Sequence, residues 1–99
     1  MTTVLVRTSS RADKRLMAEF PTRTVHFGSK GGATFIDHGD DEGKAAWLAR
    51  HAVNERDYES AGALARWLLW ERPTLREAVQ DLNMRQRTWR FKMARRRVK

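Results

Sequence analysis

The sequence predicts an α+β fold: a small antiparallel sheet of three to four strands followed by three helices, the last extended and arginine-rich. Three observations carry that reading. Short β-branched or alternating stretches fill residues 3–27, apolar helical patterns fill residues 42–82, and cations crowd residues 85–99.

Thr3 to Thr8 is short, β-branched and bounded by Ser9-Ser10, which reads as a strand with a turn after it. Arg11-Ala12-Asp13 supplies the turn. Arg15 to Phe20 then alternates, with Leu16, Ala18 and Phe20 on one face and Arg15, Met17 and Glu19 on the other. Pro21-Thr22 suits a tight turn, since proline holds φ at about −65°. Arg23 to Phe27 follows, Val25 and Phe27 inward, Thr24 and His26 outward. Short turns between the three imply an antiparallel meander, which needs one face covered to be stable. Gly28-Ser29-Lys30-Gly31-Gly32 breaks the pattern, and Ala33 to Ile36 reads either as a fourth short strand or as an irregular crossing segment.

Asp40-Asp41-Glu42 places acids where a helix N-terminus favours them. The expected helix runs from Glu42 to Val53 and buries Ala45, Leu48, Ala49 and Ala52, with Trp47 beside them. Ser60 caps a second helix whose interior, Ala61 to Trp70, is apolar nearly all round, the mark of a buried helix. Pro73 stops it. Thr74 and Glu77 form a capping-box pair, and Leu75, Ala78, Val79 and Leu82 follow at core spacing. Trp47, Trp67 and Trp70 are expected chiefly in the core, where large aromatics bury area efficiently.

Length and composition narrow the function. At 99 residues the chain fits one small domain with a modest core. The absence of cysteine excludes disulfides, Cys-ligated zinc, iron–sulfur clusters and thiol catalysis. The longest nearly apolar run, Ala61 to Trp70, is interrupted by Arg66 and falls well short of the roughly 20 residues that span a bilayer. MTTVLVRTSS lacks the basic-then-apolar layout of a secretory signal, so the protein is expected inside a cell or a virion rather than secreted.

The net charge of +8 is concentrated at one end. Residues 1–84 hold 12 cations and 12 acids, whereas residues 85–99 hold eight cations and no acid. The expected organisation is therefore a single domain over 1–84 and a basic C-terminal helical extension over 85–99. Self-repulsion works against packing such a segment unless something anionic neutralises it. Wound as a helix, it carries Arg85, Lys92, Arg95, Arg96 and Lys99 on one broad face and Arg87, Arg90 and Arg97 opposite. No continuous apolar stripe emerges, which argues against an in-plane membrane helix. Guanidinium matches phosphate bidentately, and Trp89 and Phe91 offer stacking on unpaired bases. The expected nucleic-acid-binding set is Arg85, Arg87, Trp89, Arg90, Lys92, Arg95, Arg96, Arg97 and Lys99. The bland alternative is a solvated extension, or one whose charge meets acidic protein.

Two other constellations are weaker. Gly28, Lys30, Gly31 and Gly32 could form an anion-binding nest of backbone amides, although no Gly-Lys-Ser/Thr opens a helix there as in a P-loop, and a structural loop is the plainer reading. His26, His38 and His51, with Asp37 and Asp40, suggest a metal site. Asp37-His38 followed by His51 is similar to part of the ββα metal-nuclease motif. The intervening hairpin is missing, however, and no second histidine lies one turn from His51. Asp37 and His38 are expected instead to fix the loop and cap the helix that follows. No catalytic residue, metal or cofactor is expected.

Several blocks together carry a resemblance. Ser10 to Ala18, His26-Phe27-Gly28 through Gly31, Asp37-His38, Ala49-Arg50-His51, Ser60 to Leu64 and Leu69 to Leu75 resemble a family of small basic proteins of unknown function. That family is encoded by nucleocytoplasmic large DNA viruses, including those of algae and amoebae. The resemblance spans residues 3–82 and implies a viral origin, with the virion or the infected cell's interior as its setting; it implies no reaction. Pro21-Thr22 stands where the family has an Asp-Gly type turn, and the arginine-rich stretch beyond Asn83 is longer than in the family. The expected function is thus a non-enzymatic viral protein that holds nucleic acid without sequence specificity. The alternative is a minor capsid or cement protein whose basic tail docks on larger shell proteins.

Overall fold

The computed structural model describes residues 2–51 and 53–94. Strands β1 (Thr2–Thr8), β2 (Lys14–Glu19) and β3 (Thr24–Ser29) are followed by helices α1 (Phe35–His38), α2 (Asp41–Arg50), α3 (Ala61–Leu68) and α4 (Leu75–Arg85), and strand β4 (Trp89–Met93) comes last. The sheet order is β3-β2-β1-β4. The first three strands form antiparallel neighbours, with Val6 opposite Ala18 and Leu16 opposite Phe27. β4 lies parallel to β1, Val4 opposite Phe91, after a crossover through all four helices.

One face of the sheet is the core face. Val4, Val6, Leu16, Ala18, Phe27 and Phe91 point into it and are buried. α3 covers it over β3 with Ala63, Leu64 and Leu68, and α4 covers it over β4 with Ala78, Val79 and Leu82. The other face carries Thr3, Leu5, Arg7, Met17, Glu19, His26, Arg90 and Lys92, all exposed or half-buried. Caps fall where the side chains supply them: the amide of Ala63 donates to Ser60 Oγ and that of Glu77 to Thr74 Oγ1, each at 3.1 Å.

The fold differs from the expected α+β arrangement at its C-terminal end. The sheet is mixed, and the last element is a strand in place of the expected extended arginine-rich helix. The reason is packing. From Trp89 to Met93 the residues alternate with period two, which sends Phe91 into the core at 2% exposure and leaves Arg90 and Lys92 outside. Phe20 receives both aromatic rings edge-on, Trp89 at 5.2 Å and Phe91 at 6.0 Å. A helix would place those two rings about 200° apart, and at most one would reach Phe20.

Two further expectations need correction. Residues 35–38 form α1 rather than a strand or an irregular crossing. α2 ends at Arg50 and buries none of its residues; Ala45 and Ala49 are exposed, and Ala52 lies outside the described residues.

β4 is an edge strand, and its outer edge is closed by side-chain amides. Trp89 N–H donates to Gln86 Oε1 at 2.8 Å, and Gln86 Nε2 donates to the Trp89 carbonyl at 2.6 Å. Asn83 repeats the pattern on Phe91, accepting at 2.7 Å and donating at 2.8 Å. Both amides come from the end of α4 and its cap. They satisfy backbone groups that would otherwise offer a template for a foreign strand.

Candidate functional site

The end of α4 and β4 together place the cations of residues 85–94, and they separate them into two groups. Arg85 belongs to the fold. Its Nε donates to Asp81 at 2.6 Å, its Nη2 donates to Glu71 at 3.3 Å, and its guanidinium lies 4.1 Å from the Trp67 ring. Trp89 is likewise structural, half-buried against Phe20 with both backbone polar groups held by Gln86.

Arg87, Arg90 and Lys92 are exposed or half-buried, and among the described residues none of them takes part in an ion pair. Two adjoining depressions run beside them. One, of about 320 Å³, is lined by Asn83, Met84, Arg87 and Arg90. The other, at the outer edge of β4, is lined by Arg76, Gln80 and Asn83 of α4 together with Arg90 and Lys92 of β4. Every charged residue lining either depression is an Arg or a Lys. Sequence reasoning overlooked Arg76 and Asn83. Their separation of seven residues puts them on one face of α4, a signal that the helical period alone supplies. Arg95, Arg96, Arg97 and Lys99 lie outside the described residues.

The two acids that hold Arg85 are each engaged by more than one cation. Burial alone would push the Glu71 carboxyl up, but the hydrogen bond from Arg66 at 2.7 Å and the charges of Arg66, Lys44 and Arg85 hold it below the ordinary range. Asp81 behaves the same way: burial raises it, and hydrogen bonds from Arg85 and Arg72 outweigh that and lower it.

The glycine loop serves the fold. Gly28 has φ +80°, and a Cβ there would come within 2.7 Å of Leu69 Cδ1 and 3.3 Å of Arg15 Cβ. Two amides that a nest would need are directed inward instead, Lys30 N–H to the Asp13 carbonyl and Gly32 N–H to the Ser29 carbonyl, each at 3.3 Å. Lys30, Gly31 and Gly32 line a shallow depression with Arg15 and Asp37. Gly28→Ala is expected to destabilise by about 2–4 kcal/mol, from positive φ plus the clash with buried Leu69, and thermal unfolding checks it.

The histidines are dispersed. His26 Nδ1 meets Ser9 Oγ at 2.7 Å on the sheet, His38 Nδ1 accepts from Asp40 N–H at 2.9 Å, and the His51 ring stacks on Trp47 at the end of α2. Among the described residues no three His, Asp or Glu side chains converge as a metal site. Asp37 receives both Arg15 guanidinium nitrogens at 2.6 Å and the Thr34 N–H at 2.7 Å, which together hold its carboxyl well below the ordinary range despite partial burial. It thereby ties α1 to β2.

Compared with known proteins, residues 4–51 match a protein-family model described as a family of unknown function (DUF5754). That stretch runs from β1 to the end of α2 and stops before α4 and β4. No curated protein and no solved structure matches the chain.

Proposed function

We propose that this chain is a non-enzymatic module that holds nucleic acid without sequence specificity. Arg76, Arg87, Arg90 and Lys92 engage successive phosphates, and Arg95, Arg96, Arg97 and Lys99 continue the series. In the setting implied by the viral resemblance, the polyanion is a packaged genome. The observation that carries the reading is the pair of depressions along α4 and β4 whose charged lining residues are all cationic. Such a surface neutralises phosphates and releases counterions. The role for this region differs from an independent arginine-rich rod: the folded edge itself presents the cations, with Asn83 and Gln86 fixing the strand that bears them.

The test is fluorescence anisotropy with a mixed-sequence duplex and a single strand, titrated against salt. Four engaged cations give a log–log slope of about −3.6 on duplex, and all eight give about −7. Affinity should then fall on the order of 10²-fold to 10⁴-fold between about 50 and 200 mM salt. Replacing Arg87, Arg90 and Lys92 together by Gln should flatten the slope by about 2.7, while Arg56→Gln, in the loop before α3, should leave it unchanged. A duplex slope shallower than about −1 would overturn the proposal. So would equal binding to polyglutamate, which would assign the surface to an acidic shell protein.

A further inference from the structure

At the opposite edge of the sheet a groove of about 460 Å³ opens between the end of β3, the C-terminal end of α2 and the start of α3. That volume is within the range of small-molecule sites, roughly 300–1,000 Å³. Its wall includes an aromatic ladder. The His51 ring stacks on Trp47 at 4.4 Å and 14°, and Trp47 stacks on Trp70 at 5.2 Å and 16°. Trp70 is buried and His51 is exposed, so the ladder runs from the core out to solvent. The ionisable lining residues are Lys14, Arg50 and His51, with no carboxylate among them. Neither Lys14 nor Arg50 takes part in an ion pair among the described residues.

The way α2 is attached supports a binding role. With no residue buried, it is anchored through Lys44 and Trp47, one turn apart, and through its C-cap residue His51. Lys44 Nζ donates to the Glu71 carbonyl at 3.0 Å and lies 5.1 Å from the Phe35 ring, and the other two form the ladder. Anchoring a helix needs only aliphatic burial. This one instead ends on a stacked ladder whose outer rung, the exposed His51 ring, lines the same groove as the Lys14 and Arg50 cations. Ring planes bind planar π systems, and Lys and Arg bind phosphate oxygens.

We propose that this groove binds a nucleoside phosphate, its base stacked on the exposed His51 ring at the outer end of the ladder and its phosphate held by Lys14 and Arg50. The site lies three strand spacings, about 14 Å, from the edge that carries Arg90 and Lys92, so it does not depend on the phosphate-backbone reading of that edge. The ligand is either a free nucleotide or one residue of a single strand, and the two share this chemistry.

The experiment follows the four indole N–H signals of the full chain in proton–nitrogen correlation spectra during titration with AMP. The Trp47 and Trp70 signals should move together, saturating between about 10 μM and 1 mM, with Trp89 unmoved. Adenosine and ribose phosphate, each lacking one half of the ligand, should bind at least about tenfold more weakly. Arg50→Gln and Lys14→Gln, substitutions of residues that are exposed or half-buried, should each weaken AMP binding by about three- to tenfold without changing the melting temperature. A short single-stranded oligonucleotide that binds more tightly than AMP would assign the site to a strand, and the reverse to the free nucleotide. Trp47 and Trp70 signals unmoved by about 5 mM of AMP and of the oligonucleotide alike would overturn the proposal. Equal affinity for adenosine, or undiminished binding by the Lys14→Gln, Arg50→Gln double variant, would overturn it as well. Duplex binding measured on that double variant keeps the two sites distinguishable, since the α4–β4 edge is intact in it.

Discussion

Replacing Glu71 by Leu should destabilise the fold by about 3–5 kcal/mol, lowering the melting temperature by on the order of 15 °C or more. The Glu71 side chain is 13% exposed and accepts from Arg66 at 2.7 Å and Arg85 at 3.3 Å, with Lys44 at 3.5 Å. Arg66 is itself only 11% exposed and lies 4.3 Å from the Trp67 ring. Without Glu71 it keeps Glu55 alone, on the more exposed side of the network. A buried cation that loses its main partner costs more than the pair contributes when intact. The double variant Arg66→Met with Glu71→Leu should therefore recover about 1 kcal/mol or more relative to Glu71→Leu. Chemical denaturation measures both, and a loss below about 1 kcal/mol for Glu71→Leu would show that water already screens the network.

The same network contributes to the acid limb of stability, beside the Asp37–Arg15 pair. Glu71 and Asp81 both have folded pKa values held below their unfolded ones. Their contribution is therefore complete above the unfolded values, about 4, and is lost as pH falls through the folded ones. The melting temperature should stay level from neutral pH to about 5 and then drop, less steeply in Glu71→Leu than in the parent.

Much of the fold was readable where local rules and tertiary packing agree. The alternation of Leu16, Ala18 and Phe20, the short turns, Ser60 before an apolar run, and Thr74 three residues before Glu77 each have one cheap structural solution, and the chain adopts it. β4 was legible too, since Trp89, Phe91 and Met93 alternate with Arg90 and Lys92. Arg and Lys are good helix formers, but propensity is a weak prior against the packing of Trp89 and Phe91 on Phe20. Parallel pairing with β1 had no local signal, because the partner is more than 80 residues away in sequence. The candidate edge was half legible. Arg87, Arg90 and Lys92 stand out by composition, and the pairing of Arg85 with Asp81 was offered by their i,i+4 spacing on α4, but the second contact of Arg85, with Glu71, depends on α4 meeting the end of α3. The aromatic ladder was hidden for the same reason: Trp47 and Trp70 are 23 residues apart, and an aromatic at helical spacing reads as ordinary core.

A chain ended after residue 84 should not fold cooperatively. If residues 85–99 were an appended arm, removing them would leave the melting transition of the rest almost unchanged. The contacts of β4 argue otherwise. Phe91 is 2% exposed and touches Phe20, Trp89 closes over the same ring, and β4 pairs with β1 from Thr2 to Val6. Losing the Phe91 ring alone corresponds to about 3–5 kcal/mol. Truncation also exposes the β1 edge and removes Gln86, whose amide holds the strand start. Those losses together are comparable with the whole stability of a domain this size, about 5–15 kcal/mol. Circular dichroism and thermal denaturation of the truncated chain decide the matter. The milder variant Phe91→Ala, expected to lose about 3–5 kcal/mol while retaining a cooperative transition, separates loss of core from loss of the strand. A truncated chain that melts cooperatively within a few degrees of the full one would return residues 85–99 to the status of an arm. Loss of cooperativity would instead place Arg90 and Lys92 on a structural edge of the domain, where their spacing is set by the sheet and not by the flexibility of a tail.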